Sequence, residues 1–362
     1  MKHSYLWAPE PKPAERDVAR NHSHTGGALD ILLRTEGYFT PSALQNSGGV
    51  DKAIKTIESW VLETAFPDSI LPSEFKIYIH TGSVDANTNT SDGTHPMLAL
   101  TKRLASTGCK IVPVTGYGRN FIFDAAFRDA IEFNNGYGAV LINAEIFKNS
   151  EWKQMLRRTI ANSGQKAADL DLVINWGEIT GLSLNASKQY TREILMQLLD
   201  LGPWRHVFTL QGASPNSEYR SIDGTISHPR NDWNFGIELM SIAEDHGINI
   251  GYGDFGTRGE AIRQPLKIRY RGRPKYVSTL ADKCLYTRGS RVDPDNPGKH
   301  YREFVQDLTR LEGFDPNFCE GNKFLSRVSN GYTEIKGNQK LIFAQEDRRV
   351  SQVLQDLNNL DR

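Results

Sequence analysis

KIVPVT at residues 110–115, AVLIN at 139–143 and DLVINW at 171–176 are three apolar runs separated by two stretches, 120–133 and 150–162, whose apolar residues recur at helical spacing. A run of five or six residues dominated by Val, Ile and Leu is what a parallel strand covered on both faces looks like, and an amphipathic helix between two such runs makes a crossover unit. The pattern continues in both directions. Runs at 5–9, 30–35 and 76–81 precede these three, and runs at 206–211 and 249–254 come after them, with further helical patterns at 51–64, 96–106, 188–200 and 231–246. Eight strands alternating with helices predict an α/β fold, a (β/α)8 TIM-like barrel. The first unit is the weakest, because residues 10–28 leave room only for a short helix.

Such a barrel occupies residues 1–256 and leaves 257–362 as an α+β extension packed on it. In that extension, residues 258–291 carry ten Lys or Arg against two acids. LKIRYRGRPKYVSTL at 266–280 alternates apolar and basic residues around Gly272-Arg273-Pro274, which predicts a β-hairpin with one charged face. A helix is expected over 300–311, turns over 313–340, and a closing helix over 346–360 with Val350, Val353, Leu354, Leu357 and Leu360 on one face. Two polar loops, 82–94 and 212–230, fall beyond strands three and seven. Each can be a ligand-binding element or a plain solvated loop.

Lys plus Arg and Asp plus Glu both number 43, so global charge selects no class of partner. Three widely separated cysteines (Cys109, Cys284 and Cys319) form no CxxC or metal spacing, which predicts free thiols and a cytoplasmic setting. No 18-residue apolar run is present, so no membrane contact is expected. Walker A, HExxH and GxSxG motifs are missing, and the HxH pair His22/His24 has no partner set. Neither a metal nor a cofactor is therefore expected.

Barrels place their chemistry at the C-terminal ends of strands. On that rule Glu36, Glu178 and Asp254 are candidate catalytic carboxylates, while His80, Arg119, Asn143, Asn175, Gln211, Ser214, Arg230, Arg269 and Arg288 are candidate ligand contacts. Arg119, Arg230, Asp254 and Arg269 are expected to share one pocket, where arginines grip a phosphate or carboxylate through paired hydrogen bonds. Any one of these polar residues could instead cap a helix or satisfy a loop backbone.

Pro113-Val114-Thr115-Gly116, WRHVFTLQGASP at 204–215, HPRNDW at 228–233, GDFG at 253–256, Ile268-Arg269-Tyr270, Thr287-Arg288-Gly289 and Gly337-Asn338 succeed one another in an order that resembles the beta-protein family, named for a T-even bacteriophage protein. The resemblance implies a modified barrel with a C-terminal extension and brings no settled activity with it. It also implies acids near the strand ends that here finish in His80 and Asn175, a charge near Asn143, and histidines where Arg348-Arg349 stand. Two functional expectations arise. One is a non-catalytic or weakly catalytic barrel that recognises an anionic small molecule, a nucleic acid or a protein partner, in a phage–host conflict or defence setting. The other is a hydrolase or phosphodiesterase-like enzyme acting on a phosphate-bearing substrate at the mouth.

Overall fold

The computed structural model describes residues 3–23, 28–65, 76–82, 84–85, 87–179, 188–212, 224–258, 273–290, 292, 295–335 and 337–361. All eight expected runs become strands of one closed parallel barrel. In chain order the strands are β1 (Tyr5–Trp7), β2 (Leu29–Arg34), β3 (Ile77–His80), β4 (Ile111–Gly116), β5 (Gly138–Asn143), β6 (Leu170–Glu178), β7 (His206–Gly212), β8 (Gly224–Pro229), β9 (Gly251–Asp254), β10 (Lys275–Thr279) and β11 (Lys283–Arg288). The barrel runs β1 to β7 in sequence and closes through β9 onto β1, while β10, β11 and β8 form a separate antiparallel sheet.

Successive residues of a strand face opposite sides, and that alternation divides the core in two. Leu6, Leu32, Tyr78, Val112, Val114, Ala139, Leu141, Val173, Phe208 and Leu210 fill the barrel interior as one cluster with Phe255. Their neighbours Tyr5, Trp7, Ile31, Ile79, Ile142, Ile174 and Tyr252 point outward into the layer between strands and helices. Each large apolar side chain so buried stabilises the fold by roughly 2 kcal/mol before conformational entropy is counted.

Helices Pro13–Asn21, Val50–Ala65, Pro96–Ala105, Phe121–Phe133, Trp152–Ser163, Lys188–Leu199 and Asn231–Glu244 cover the outside. Their apolar faces match the pattern read in the sequence. Phe123, Ala126, Phe127, Ala130 and Ile131 are the buried stripe of Phe121–Phe133, whose start is fixed by Asn120 accepting a hydrogen bond from the Phe123 amide at 2.8 Å. The first helix is short, as its sequence dictates.

The extension departs from expectation in three ways. Lys275–Thr279 does pair with a neighbour, but forward with Lys283–Arg288 across residues 280–282; residues 266–272 of the expected hairpin lie outside the described residues. The segment expected as turns contains the helix Glu320–Ser329, with Leu325 and Val328 buried. Finally, the closing helix begins eight residues earlier than its apolar stripe suggested and spans Asn338–Leu360, packing on Pro13–Asn21, β1 and β10. It covers the flank of β1, where the barrel's eighth helix belongs. Because β8 comes from the segment before Asn231 and pairs with β11, the antiparallel sheet draws on both sides of residue 256.

Candidate functional site

Strand phase decides which of the candidate residues reach the barrel mouth. Arg34, His80, Asn143 and Asn175 share the inward phase of Leu32, Tyr78, Leu141 and Val173; the first three end β2, β3 and β5, and Asn175 stands at the register shift of β6, which ends at Glu178. Glu36 lies just past β2 in the short helical turn Glu36–Tyr38. Arg119 sits in the turn after β4, and its guanidinium folds back over Gly116, where a Cβ would lie 3.4 Å from Nη2 and 2.9 Å from the Leu141 carbonyl. Glycine is thus required there by close approach.

These side chains are joined. Glu36 Oε2 lies 3.5 Å from His80 Nδ1, and Arg119 Nη2 lies 3.3 Å from His80 Nε2. Because a guanidinium only donates, Nε2 is the acceptor here and the ring proton sits on Nδ1, facing Glu36. Burial alone would raise the Glu36 carboxyl; attraction and hydrogen bonding to His80, its own backbone amide and nearby Arg34 outweigh that and hold it below its ordinary value. Burial draws Arg119 down, with Glu36 and Asp124 pulling the other way; an arginine stays charged through such a shift. Gly82 keeps Glu36 in place from the far side. Its φ is +68°, and a Cβ there would lie 2.4 Å from that of Glu36, so both conformation and space call for glycine.

The next arc of the rim is neutral. Asn175 Nδ2 donates to Asn143 Oδ1 at 2.9 Å, and the Gly177 amide donates to Asn175 Oδ1 at 2.9 Å across the irregular register at the end of β6. Glu178 turns toward Gly212, where a Cβ would meet its carboxylate oxygens at 3.1 and 3.2 Å and Phe255 at 3.2 Å. Phe255 is buried, with the Arg34 guanidinium stacked 5.0 Å from its ring centre. The mouth therefore has a polar arc from β2 to β6 and an apolar arc where Ala8, Gly212 and Phe255 stand.

Three expected contacts go elsewhere. Asp254 and Gln211 have the outward phase, so they face helices and not the mouth. Asp254 is fully buried, accepting from Tyr5 Oη at 2.9 Å, from Arg349 Nε and Nη2 at 3.0 and 2.8 Å, and from the Gly256 amide at 2.8 Å. Gln211 accepts from Thr209 Oγ1 at 2.7 Å, and its Nε2 abuts Gly236 of the covering helix. Arg230 is 1% exposed. It donates to the Leu280 and Ala281 carbonyls at 3.1 Å each, pairs with Asp356 and stacks 4.7 Å over Trp233. Arg119, Arg230 and Asp254 therefore do not form one anion pocket, because Arg230 and Asp254 are committed inside the protein. Arg288 ends β11 on the antiparallel sheet, opposite Gly224 and Lys275. Ser214 and Arg269 lie outside the described residues. The sequence reading missed Arg34, although its phase, two residues before Glu36 and two after Leu32, was available to find it.

Among the described residues no group of three or more His, Cys, Asp or Glu is placed to hold a metal, and no helix is long and apolar enough to cross a membrane. Cys109, Cys284 and Cys319 are free and buried.

The molecule is a (β/α)8 barrel with an arc of polar side chains at its C-terminal mouth and a separate antiparallel sheet. The profile of the family described as Beta protein matches residues 50–354, so the chain belongs to that family. None of the curated proteins matches it. Among solved structures it is similar to triosephosphate isomerase from Bartonella henselae (12% identity, TM-score 0.33, 71% of this chain and 92% of that one). It is also similar to a putative fructose-1,6-bisphosphate aldolase from Coccidioides immitis (7% identity, TM-score 0.37, 99% and 94%). A third similar structure is the spore coat polysaccharide biosynthesis protein spsE from Bacillus subtilis (12%, 0.32, 79% and 84%).

Proposed function

We propose that the barrel mouth recognises a small phosphate-bearing ligand, with Arg34 and Arg119 as its anion contacts. The observation that carries this reading is the convergence of Arg34, Glu36, His80, Arg119, Asn143 and Asn175 from five consecutive strands on the inner face of one rim. A planar guanidinium held by fixed neighbours offers two parallel N–H donors to a phosphate, which a lysine cannot imitate. Recognition ranks ahead of turnover because Arg119 covers Nε2 of His80, the nitrogen a base would use. Hydrolysis of a phosphate ester is the second reading, favoured by the Glu36–His80 pair, which has the arrangement of a carboxylate orienting a general base. We place either activity in the cytoplasm, as the free thiols of Cys109, Cys284 and Cys319 favour, and in a phage–host conflict, as the family resemblance favours. A nucleic acid or protein partner would draw on the basic segment 258–291.

The test is a thermal-shift and calorimetric screen of pyrophosphate, sugar phosphates and nucleotides. A ligand at a hundred times its Kd should add about 2.7 kcal/mol of stability. Arg119→Lys should weaken binding nearly as much as Arg119→Ala, since the fork is lost in both. Failure of every phosphate-bearing probe to bind, or equal binding by both variants and the wild type, would overturn the proposal.

A further inference from the structure

Resting on the phosphate reading of the mouth, we infer that its ligand is a nucleotide, with the base stacked on Phe121 and its edge met by Asn143. Phe121 opens the helix Phe121–Phe133 two residues after Arg119 and is 80% exposed, whereas Phe123 and Phe127 of the same helix are 1% and 0% exposed. The helix already seats its apolar face without this ring, so packing gives Phe121 no role. An exposed ring two residues along the chain from the arginine proposed to hold the phosphate can take a base while that arginine takes its phosphate. Tyr117 stands half-buried on the same turn.

The amides point to the same ligand class. Asn143 is exposed, and its Oδ1 already accepts from Asn175 Nδ2, which fixes the way the amide faces. An Nδ2 donor and one Oδ1 lone pair remain, side by side. Adjacent donor and acceptor positions are the complement of a base edge, as in the pairing of asparagine with adenine N6 and N7. Charge agrees as well. Among the described residues of the mouth, Glu36 and Glu178 match Arg34 and Arg119 in number, which suits a ligand that brings donors along with its anion. A bare inorganic anion would use the arginines and leave the exposed ring and the amide edge unused.

The experiment is calorimetric titration of the full chain, at fixed ionic strength, with adenosine monophosphate, ribose 5-phosphate and pyrophosphate. Adenosine monophosphate should bind at least about 10-fold more tightly than ribose 5-phosphate, the range that base–aromatic stacking supplies. Phe121→Ala should erase that advantage and leave ribose 5-phosphate within twofold of wild type, while Phe121→Trp should restore it. Because Phe121 is exposed, neither variant threatens the fold. Equal affinity for the two organic phosphates, or no change on Phe121→Ala, would overturn the nucleotide inference and leave the phosphate reading standing. Binding of none of the three would overturn both.

Discussion

His95 shows how much one side chain can be asked to do in this chain. It caps the helix Pro96–Ala105, its Nδ1 accepting from the Met97 amide at 3.2 Å while the ring stands edge-on to Phe123, 5.3 Å between centres. Burial lowers its pKa to about 4. A proton on Nδ1 would remove the acceptor and bury a charge, so between pH 4 and 6.5 the unfolded chain binds more protons than the folded one. Stability from this residue is complete above pH 6.5 and drains away as pH falls to 4, by up to about 3 kcal/mol. His95→Asn keeps a capping oxygen and does not titrate, so its urea-unfolding free energy should stay flatter across that window; a curve parallel to wild type would clear His95 of the effect. His95→Ala should cost about 1 kcal/mol or more at pH 7 through the lost cap. At this scale sequence was a partial guide. It marked Glu36, His80, Arg119, Asn143, Asn175 and Glu178 correctly as rim residues, because a strand's end can be placed to within a residue or two. It also enlisted Asp254 and Gln211, because a one-residue phase error sends a side chain to the opposite face.

At the scale of elements, the eight strands were legible because runs of Val, Ile and Leu carry their own signature, whereas the docking of the closing helix was not. Four consecutive charges, Glu346-Asp347-Arg348-Arg349, sit in its middle and would ordinarily lie in water. Here each is 1% or 2% exposed. Glu346 accepts from Thr257, and Asp347 accepts from His22 Nε2 at 3.1 Å and the Gly321 amide at 2.8 Å. Arg348 donates to the Thr279 and Gly313 carbonyls, and Arg349 holds Asp232 and Asp254. Those partners are scattered from residue 22 to residue 321, so no local pattern could announce them. The anions and acceptors of Arg348 and Arg349 are thus all internal. Arg349→Met would leave two buried carboxylates without their cation, and it should cost about 3–5 kcal/mol in urea unfolding. Adding Asp254→Asn to it should cost less than the two single changes together, since they share one network. Strict additivity would show that Arg349 and Asp254 do not act as a pair.

For the whole molecule, the question is whether the barrel strands can stand without residues 257–362. Among the described residues eight helices come from the segments between barrel strands, and the flank at β9 and β1 is covered by Asn338–Leu360, which returns after an inserted sheet and two further helices. Tyr5, Trp7 and Tyr252 are fully buried in the outward layer on that flank. Exposing three such rings forfeits roughly 2–3 kcal/mol each, and stripping Arg349 from Asp254 and Asp232 adds about 3–5 kcal/mol. The total, on the order of 10 kcal/mol, matches the whole net stability of an ordinary domain. A fragment of residues 1–256, the barrel as the sequence delimits it, is therefore expected to lack a near-ultraviolet circular dichroism signal, to bind hydrophobic dye and to unfold without a cooperative transition. The intact chain should melt in a single step, because the closing helix ties the first strand to the last. Mixing the fragment with separately produced residues 257–362 should recover part of the near-ultraviolet signal, since the missing surface is then supplied in trans. A fragment 1–256 that melts cooperatively with a native-like signal would show that the barrel closes unaided, and the closing helix would then be an ornament on a finished fold.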